Sequence, residues 1–369
     1  MLLIEDIRSL PPVSNHAALQ YELNHNDLRL CVSRNMEHRT DIKELIGFNE
    51  LSAMQEFHLN HARFMVNVLH LNSFELLGRV FIWVYRAYRS HGYSYEYFPI
   101  ALSAWKDAIN HHIEAESAAE IIAVYDWLIK KHDIIINIVE SGEYKLFSMS
   151  GEWQKEQANF LNHLLNGDYK GCLAYPQKYV STEKDLMAYY MDIIQPTMYE
   201  LGHLWQTGKI SIAEEHLATA IVTRLMLVQY MKLPGVVPAK GKAIITAAPN
   251  EFHEIGARMA SDLLELDGWN VAYLGANTPV HDLIELVKRE RPTFIGISVV
   301  IPFNLLLAQK VIRRIKSDPD ICNTKIIVGG SAFLHDDTLW RLIGADAIAL
   351  DCQEILKLAS SFAKGITNE

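Results

Sequence analysis

The residues best suited to chemistry are a carboxylate and an imidazole, Glu251 and His253, separated by one position. An imidazole can bind a metal ion through one ring nitrogen while a carboxylate accepts its other ring N–H, which fixes the tautomer and raises the basicity of the ligating nitrogen. Gly256 follows three residues later and has no side chain, so a large group can approach the chain there. The pattern predicts a metal or cofactor site centred on His253.

Two elements are expected to position this pair. Residues 243–248 form a short apolar run with the length and β-branching of a buried strand. His253 is therefore predicted to lie on a loop at the carboxyl end of a parallel strand, where open α/β sheets bind their ligands. A helix is predicted to begin near Glu254, because apolar residues then recur at helical spacing, at Ile255, Met259, Leu263 and Leu266.

The chain is predicted to be a multidomain protein of α and α/β class. Residues 1–147 are expected to form a helical domain, and residues 148–238 a four-helix antiparallel bundle that ends in a stiff, proline-containing linker. Residues 239–369 alternate strands with amphipathic helices, which predicts a parallel sheet covered on both faces. Its strands are expected at 243–248, 270–275, 294–299, 325–329 and 346–350.

Helix boundaries can be predicted from the apolar spacing. In the first domain, helices are expected near 54–69, 74–88 and 121–135, with another that has Pro99 in its first turn. In the bundle, helices are expected to start near Phe160, to run from about Leu186 up to Pro196, to include residues 198–205, and to span 211–231.

Bulk composition narrows the function classes. The net charge of −10 disfavours a nucleic-acid surface, which needs a concentrated basic patch. Four scattered cysteines form neither a disulfide framework nor a zinc motif, which is typical of a cytoplasmic protein. No apolar run reaches the length that spans a membrane, and no signal peptide is evident. We therefore expect a cytoplasmic protein that contacts neither nucleic acid nor membrane.

The spacing of three short motifs extends the prediction beyond His253. In the sequence, 41 residues separate Gly256 from Ser298, and 28 residues separate Val300 from Gly329-Gly330. This arrangement resembles the vitamin B12-binding signature, D-x-H-x-x-G followed by S-x-L and G-G. Glutamate stands for aspartate at position 251 and valine for leucine at position 300. Taken alone, Ser298 would be an ordinary strand serine and the glycine pair an ordinary turn.

The resemblance implies a flavodoxin-like, Rossmann-type domain that binds cobalamin. His253 would be the lower ligand of the cobalt ion, with the dimethylbenzimidazole tail of the cofactor displaced into the sheet. Ser298 would hydrogen-bond the ring nitrogen of that tail. Gly329 and Gly330 would let the nucleotide pass close to the backbone.

A second motif lies in the bundle. Trp205 precedes Glu215 by ten residues, and His216 follows directly. The motif W-x9-E-H resembles that of the light-sensing cobalamin repressors, and it implies that Trp205, Glu215 and His216 surround the adenosyl group of adenosylcobalamin. Without that context, the tryptophan would be core and the other two the start of a surface helix.

One position departs from the repressors. A histidine that directly follows the tryptophan there can capture cobalt after illumination, whereas this chain has Gln206. Water, His203 or His216 would have to take that place.

The first domain does not resemble the winged helix of the repressors. Its aromatic-rich helices resemble a globin-type sensor fold, and the whole arrangement is similar to the photocobilins, which couple cobalamin to a bilin such as biliverdin. Haem is an alternative ligand for a globin-like domain. Candidate cations and aromatic residues for a bilin are His58, His61, Arg63, Arg79, Trp83, Tyr85, Arg86, Tyr88, Arg89 and His91.

These resemblances predict a light sensor and not an enzyme. Photolysis of the cobalt–carbon bond would change the conformation or the oligomeric state, so we expect a homo-oligomer with light-dependent assembly and a separate signalling partner. A corrinoid methyl carrier of a methyltransferase system and a haem-based sensor fused to a cobalamin module remain alternatives.

Overall fold

The structure is a computed structural model that describes residues 6–141, 152–336 and 338–366. The chain forms two compact units, Met1–Leu146 with Gln206–Gly208, and Phe147–Trp205 with Lys209–Glu369. The predicted boundary between residues 147 and 148 lies outside the described residues. Over the described ranges, no helix has both the length and the apolar character that crossing a bilayer requires.

The first unit is helical. Ser14 caps its longest described helix, because the Ser14 side chain accepts a hydrogen bond from the backbone N–H of Ala17. Helices at the predicted places near residues 54–69 and 74–88, and the one with Pro99 in its first turn, are confirmed. The helices are α1 (Asn15–Glu37), α2 (Ile42–Leu45), α3 (Leu51–Leu71), α4 (Phe74–Ser90), α5 (Tyr97–His112), α6 (Ala115–Lys130) and α7 (His132–Ser141).

Two features of this unit differ from the predictions. The single helix expected across residues 121–135 is two helices, α6 and α7, which meet at Lys131. Helix α1 was not predicted, because polar residues separate its buried positions, among them Tyr21, Leu28 and Val32. Buried polar contacts hold α1 to the other helices, since the hydroxyl oxygens of Tyr21 and Tyr125 lie 3.0 Å apart.

The second unit begins with a helical cap. Its helices are α8 (Gln154–Leu165), α9 (Tyr169–Tyr179), α10 (Glu183–Ala188), a π-helix (Tyr189–Ile194), α11 (Gln195–Gln206) and α12 (Ile212–Tyr230). Phe160, Leu164, Tyr190, Leu201 and Leu225 belong to one buried cluster, so these helices share a core. Helix α9 was not predicted, and it contains Pro176.

The predicted helix end at Pro196 is wrong. Helices α10 and α11 and the π-helix between them run without interruption from Glu183 to Gln206. Proline has no backbone N–H to donate, and it normally breaks the ladder of hydrogen bonds in a helix interior. Here the wider π-turn comes directly before it, and the N–H of Gln195 bonds to the carbonyl of Tyr190, five residues back.

A five-stranded parallel sheet forms the rest of the second unit, as predicted. Its strands are β1 (Lys242–Ala247), β2 (Asn270–Tyr273), β3 (Phe294–Ser298), β4 (Lys325–Gly329) and β5 (Ala347–Ala349), in the order β2-β1-β3-β4-β5. Ala247 pairs with Ser298, and Ser298 pairs with Gly329. The loops after β1, β3 and β4 therefore leave the sheet at the same edge. The described helices after the five strands are α13 (Ile255–Leu266), α14 (Val280–Glu290), α15 (Leu305–Ser317), α16 (Leu339–Leu342) and α17 (Cys352–Ile366).

Helix α13 is shared between the cap and the sheet. Met259, Leu263 and Leu266 belong to the buried cluster of the cap. Ala257 and Leu264, on another face of the helix, pack in the cluster beneath the sheet. The cap and the sheet therefore pack against opposite faces of one helix, which begins two residues after His253.

Asp262 of α13 should make stability depend on pH. Burial raises the pKa of Asp262 to about 6 from 3.8, although the hydrogen bond from Tyr190 opposes the rise. The folded state therefore binds the proton of Asp262 more tightly than the unfolded chain does. Ionisation of this group lowers the free energy of unfolding as pH rises from about 4 to about 6, and the loss stays in place at higher pH. We expect Asp262→Asn to raise the free energy of unfolding by about 2 kcal/mol at pH 8 and by about 1 kcal/mol at pH 5. Urea unfolding at both pH values tests this, and a gain that is larger at pH 5 would contradict it.

Candidate functional site

Glu251 is the buried centre of the site. It follows β1, and its side chain is fully buried. Its Oε2 accepts hydrogen bonds from the backbone N–H groups of Val300 at 3.0 Å and Ile301 at 2.8 Å, and from Asn304 Nδ2 at 3.1 Å. Its Oε1 accepts from the backbone N–H of His253 at 3.1 Å. One carboxylate thus joins the loops after β1 and β3.

The imidazole of His253 is held by that carboxylate. Its Nδ1–H donates to Glu251 Oε1 at 2.6 Å. The His253 side chain is 56 % exposed, whereas that of Glu251 is 0 % exposed. The hydrogen bond fixes the tautomer that has its lone pair on Nε2, which is left to bind a ligand above the sheet edge. This is the geometry predicted from the spacing of the two residues.

The pKa values of the pair move in opposite directions. Burial alone would raise the pKa of Glu251, but hydrogen bonds from His253 and from the backbone of Ile301 outweigh it, and the net shift is downward. Burial alone would lower the pKa of His253, but the hydrogen bond and charge of Glu251, together with the charge of Glu215, raise it. Glu251 therefore stays ionised as the acceptor of the Nδ1 proton, and the neutral imidazole of His253 is a more basic ligand through Nε2.

Glu215 is brought close enough to His253 to act on its charge. It lies in the first turn of α12, which Ser211 and Glu214 cap reciprocally. Thr219 Oγ1 donates to Glu215 Oε1 at 2.8 Å, so the carboxylate is held in place. The cap therefore holds a carboxylate within electrostatic range of the His253 imidazole.

Trp205 and His216 lie on the two sides of the turn before α12. Trp205 is half-buried near the end of α11, and His216 is exposed, with its Nε2 3.6 Å from Glu215 Oε2. Trp205 and Glu215 lie on opposite sides of a short turn, as predicted, because α11 ends at Gln206 and α12 begins at Ile212. Gln206 belongs to the first unit, where it is buried and its Nε2 donates to the carbonyl of Trp83 at 3.4 Å.

The two glycines after β4 are required by the packing of the backbone around them. A Cβ at Gly329 would lie 2.4 Å from the carbonyl oxygen of Ala349, and one at Gly330 2.3 Å from that of Val299. Gly330 also has a φ of 101°, a conformation that side chains disfavour. Neighbouring backbone therefore requires both glycines, whatever passes beside them. Ser298 ends β3, and the part of the chain that is described offers its hydroxyl no hydrogen-bond partner.

Gly256 borders open space. A Cβ built on it would have no heavy atom within 4 Å. The residue lies in the first turn of α13, where helix geometry alone would favour alanine. Gly256 is exposed, so the structure has no packing reason of its own for a glycine there, and the predicted role of this residue stays a prediction.

Asn304 was missed by the sequence analysis. It is buried, and its amide donates to Glu251 Oε2 at 3.1 Å and to the carbonyl of Asn250 at 3.2 Å. The available signal was an isolated amide in an otherwise apolar run, Ile301 to Leu307. Such a residue is buried only when its hydrogen bonds are satisfied, which here makes it a support of the site.

In the first unit, the structure brings several predicted ligand residues together in the core. Nδ1 and Nε2 of His58 lie 2.9 Å from Ser33 Oγ and 2.9 Å from Tyr97 OH, respectively. His61 Nε2 lies 3.0 Å from Tyr125 OH. Burial lowers the pKa of His58 to about 4 and that of His61 to about 3, so both are neutral.

The remaining candidates of the first unit divide into aromatic core and surface. The ring of Tyr85 stacks on Phe98, with centroids 3.7 Å apart, and that of Tyr88 packs on Phe57. Arg79 pairs with Glu75, whereas Arg63 is exposed. Four others lie along α4 or just after it: Trp83, Arg86, Arg89 and His91.

Comparison with known proteins connects both parts of the second unit to one cofactor. A model of a B12 binding domain matches residues 241–357, and a second model, also described as a B12 binding domain, matches residues 156–228. Dimethylamine corrinoid protein 3 of Methanosarcina acetivorans is 27% identical over 164 residues, which cover 44% of this chain and 76% of that protein. HTH-type transcriptional repressor CarH of Myxococcus xanthus is 30% identical over 109 residues, 30% of this chain and 36% of the repressor. Monomethylamine corrinoid protein of Methanosarcina barkeri superposes with a TM-score of 0.48 at 18% identity, over 56% of this chain and 98% of that one.

Proposed function

We propose that this cobalamin-binding protein is a cytoplasmic light sensor that uses adenosylcobalamin. One observation carries the proposal: an imidazole at the sheet edge, oriented by a buried carboxylate, leaves Nε2 of His253 to bind cobalt. The W-x9-E-H motif of the cap, which resembles that of the light-sensing repressors, supports the adenosyl form over the methyl form.

The residues present fit the cofactor. A corrin ring itself supplies nitrogen ligands to its cobalt ion, so a single imidazole, that of His253, would be enough to hold the metal from the protein side. The open space beside Gly256 accommodates bulk, and the hydroxyl of Ser298, which has no partner among the described residues, can serve the buried tail. When bound, adenosylcobalamin supplies the absorption of visible light and the light-labile cobalt–carbon bond.

The chain's own residues supply the axial ligand, the upper pocket and the response. Glu251 keeps His253 in the ligating tautomer, and Glu215 adds negative charge nearby. Trp205, Glu215 and His216 form the wall for the adenosyl group. Because Gln206 is buried with its amide bonded in the first unit, a cap histidine, His203 or His216, would have to replace the lost upper ligand, or water would.

A corrinoid methyl carrier is the second candidate. The dimethylamine corrinoid proteins match this chain over about three quarters of their length. A carrier exposes the upper face to a methyltransferase and transfers its methyl group in darkness. Methyl transfer in the dark with methylcobalamin would support this alternative.

The helical first unit is proposed to be a globin-like domain that holds biliverdin. Its aromatic side chains and the arginines of α4 provide the two kinds of group that a bilin needs, aromatic rings to pack against and cations for its propionates. His58 is poorly suited to bind haem iron, because both ring nitrogens of this histidine already have hydrogen-bond partners. A Soret band after reconstitution would indicate haem instead.

Signalling is proposed to proceed through light-dependent self-association and a separate partner. Helix α12 supports this, because exposed apolar side chains, interrupted by Arg224, lie along its outer side. Leu217, Leu227 and Met231 are about half exposed or more, at helical spacing. In an antiparallel pairing of two copies about residue 222, Leu217 of one copy would face Leu227 of the other, which is a self-complementary arrangement.

The proposed function is tested by reconstitution. The purified chain is loaded with adenosylcobalamin and biliverdin in darkness, and absorption spectra are recorded before and after green and red illumination while size is followed by chromatography. We expect irreversible loss of the adenosylcobalamin spectrum under green light and a change in oligomeric state. A spectrum and size unaffected by light would reject the sensor.

Trp205→Ala should weaken the binding of adenosylcobalamin more than the binding of a corrinoid that has no adenosyl group. The indole is proposed to pack against that group, and loss of one buried aromatic contact lowers affinity by about tenfold or more. We therefore expect about tenfold weaker binding of adenosylcobalamin in darkness, with hydroxocobalamin affinity little changed. Equal affinity of the variant and the wild type for adenosylcobalamin would contradict the assigned role.

Gly256→Ala should have opposite effects on folding and on binding. A helical alanine is favoured over glycine by up to about 1 kcal/mol, so the apo protein should become slightly more stable. The added methyl group projects into the space proposed for the corrin, so affinity should fall by about tenfold. Gly235→Ala, which also borders open space but lies in the linker, is the control and should leave affinity unchanged. Unchanged affinity in Gly256→Ala would place the ligand elsewhere.

A further inference from the structure

Helix α13 carries two carboxylates that accept hydrogen bonds from the cap. Tyr190 OH donates to Asp262 Oδ2 at 2.7 Å. Tyr230 OH, from the last residue of α12, donates to Glu265, one turn further along α13. Two separate elements of the cap are therefore bound by phenol groups to the same helix.

The π-helix explains how Tyr190 reaches α13. Consecutive residues of an α-helix point about 100° apart, yet Tyr189 and Tyr190 are both almost completely buried. Tyr189 packs in the cap core against Phe160 and Tyr175, whereas the hydroxyl of Tyr190 leaves that core for Asp262. A π-turn changes the hydrogen-bond pattern of the backbone, and here Gln157 Nε2 donates to the carbonyl of Asp192 at 2.7 Å. The π-turn is thus supported by a side chain from α8.

The position of α13 connects these bonds to the site. The helix begins two residues after His253, so a group fixed to α13 is also fixed relative to that imidazole. The rest of the contact with the cap is apolar, through Met259, Leu263 and Leu266. Apolar contact is non-directional, whereas a hydrogen bond fixes distance and angle.

We propose that the Tyr190–Asp262 and Tyr230–Glu265 hydrogen bonds form a two-point latch that holds the cap over the cobalt-binding face and controls how long the corrinoid is retained. Tyr190 and Tyr230 are positioning residues, because they act through α13 and do not touch the ligand. The latch depends on the proposed function only in that the corrinoid lies between the cap and the sheet edge. Loss of one hydrogen bond to a charged acceptor corresponds to about tenfold in an equilibrium or a release rate.

The test compares Tyr190→Phe, Tyr230→Phe and the double variant with the wild type. Tyr189→Phe is the matched control, because the Tyr189 hydroxyl is buried and has no hydrogen-bond partner in the described structure. We measure release of bound adenosylcobalamin in darkness, and hydrogen exchange of α13 and the end of α12 in the apo protein.

Each phenylalanine variant should release the corrinoid about tenfold faster, and the double variant faster still, with parallel acceleration of hydrogen exchange. Tyr189→Phe should behave as the wild type. Wild-type release and exchange in the double variant would overturn the latch. If the wild type binds no adenosylcobalamin, the proposed function fails, and exchange in the apo protein still decides whether the latch exists. Tyr230 is only partly buried, so Tyr230→Phe provides the answer if Tyr190→Phe does not fold.

Discussion

His253→Ala is expected to lower the affinity for adenosylcobalamin by about 100-fold or more while leaving the fold intact. Loss of a group that merely orients a metal ligand costs about 10- to 100-fold in metal affinity, and here the ligand itself is removed. The fold should survive, because this side chain is largely exposed and its ring makes a single described hydrogen bond, to Glu251. An absorption titration in darkness measures the loss.

The control for this variant is His281→Ala. His281 is an exposed histidine in the first turn of α14, the helix that follows β2. Its removal should change neither affinity nor spectrum. If His253→Ala bound the cofactor as tightly as the wild type and with the same spectrum, the cobalt site would have to lie elsewhere.

The sequence predicted the sheet domain well, because its signals are local. Each strand is a short apolar run bounded by turn residues, and the five observed strands begin and end within two residues of their predicted limits. The Glu251–His253 pair could likewise be predicted, since two residues separated by one position can meet without knowledge of the tertiary fold. The observed hydrogen bond from His253 Nδ1 to Glu251 confirms that local geometry.

The features that could not be predicted depend on contacts distant in sequence. Asn304 lies 53 positions after Glu251, and only the parallel pairing of β1 with β3 brings them together. The π-turn has no simple marker, and Pro196 pointed to a helix end that the preceding wide turn prevents. The need for glycine at position 330 comes from the carbonyl of Val299, directly after the neighbouring strand β3. In each case the deciding atom belongs to another element.

Glu251→Ala should destabilise the apo protein by about 3–5 kcal/mol, the typical cost of breaking a buried, charged hydrogen-bond network. The substitution leaves the buried backbone N–H groups of Val300 and Ile301 and the amide of Asn304 without the acceptor that they share. Each unsatisfied donor costs about 1–3 kcal/mol, reduced where water can enter. Urea unfolding of the apo protein measures the loss without the cofactor.

Two milder variants separate the effect of the Glu251 charge from the effect of its side-chain length. Glu251→Gln keeps the length but replaces one oxygen with a donor, so it should cost less than alanine and still disturb His253. Glu251→Asp restores the residue of the B12 signature, but its arm is shorter by one methylene group, so it should hold the loop after β3 less well. Both should bind the corrinoid about 10- to 100-fold more weakly, because His253 loses its fixed tautomer and orientation.

The lowered pKa of Glu251 adds a dependence on pH to this prediction. Because the folded-state pKa lies below the ordinary value of 4.5, the carboxylate stabilises the fold fully above that value, and the contribution is lost as pH falls through the folded pKa. The difference in unfolding free energy between the wild type and Glu251→Gln should therefore shrink as pH falls below 4.5, whereas between pH 8 and 6 it should rise as pH falls, because Glu251 raises the pKa of His253 and that group stabilises the fold when it is protonated. A difference that continued to grow below pH 4.5 would mean that Glu251 is protonated in the native protein, and it could then not hold His253 as a cobalt ligand in the way that its hydrogen bonds indicate.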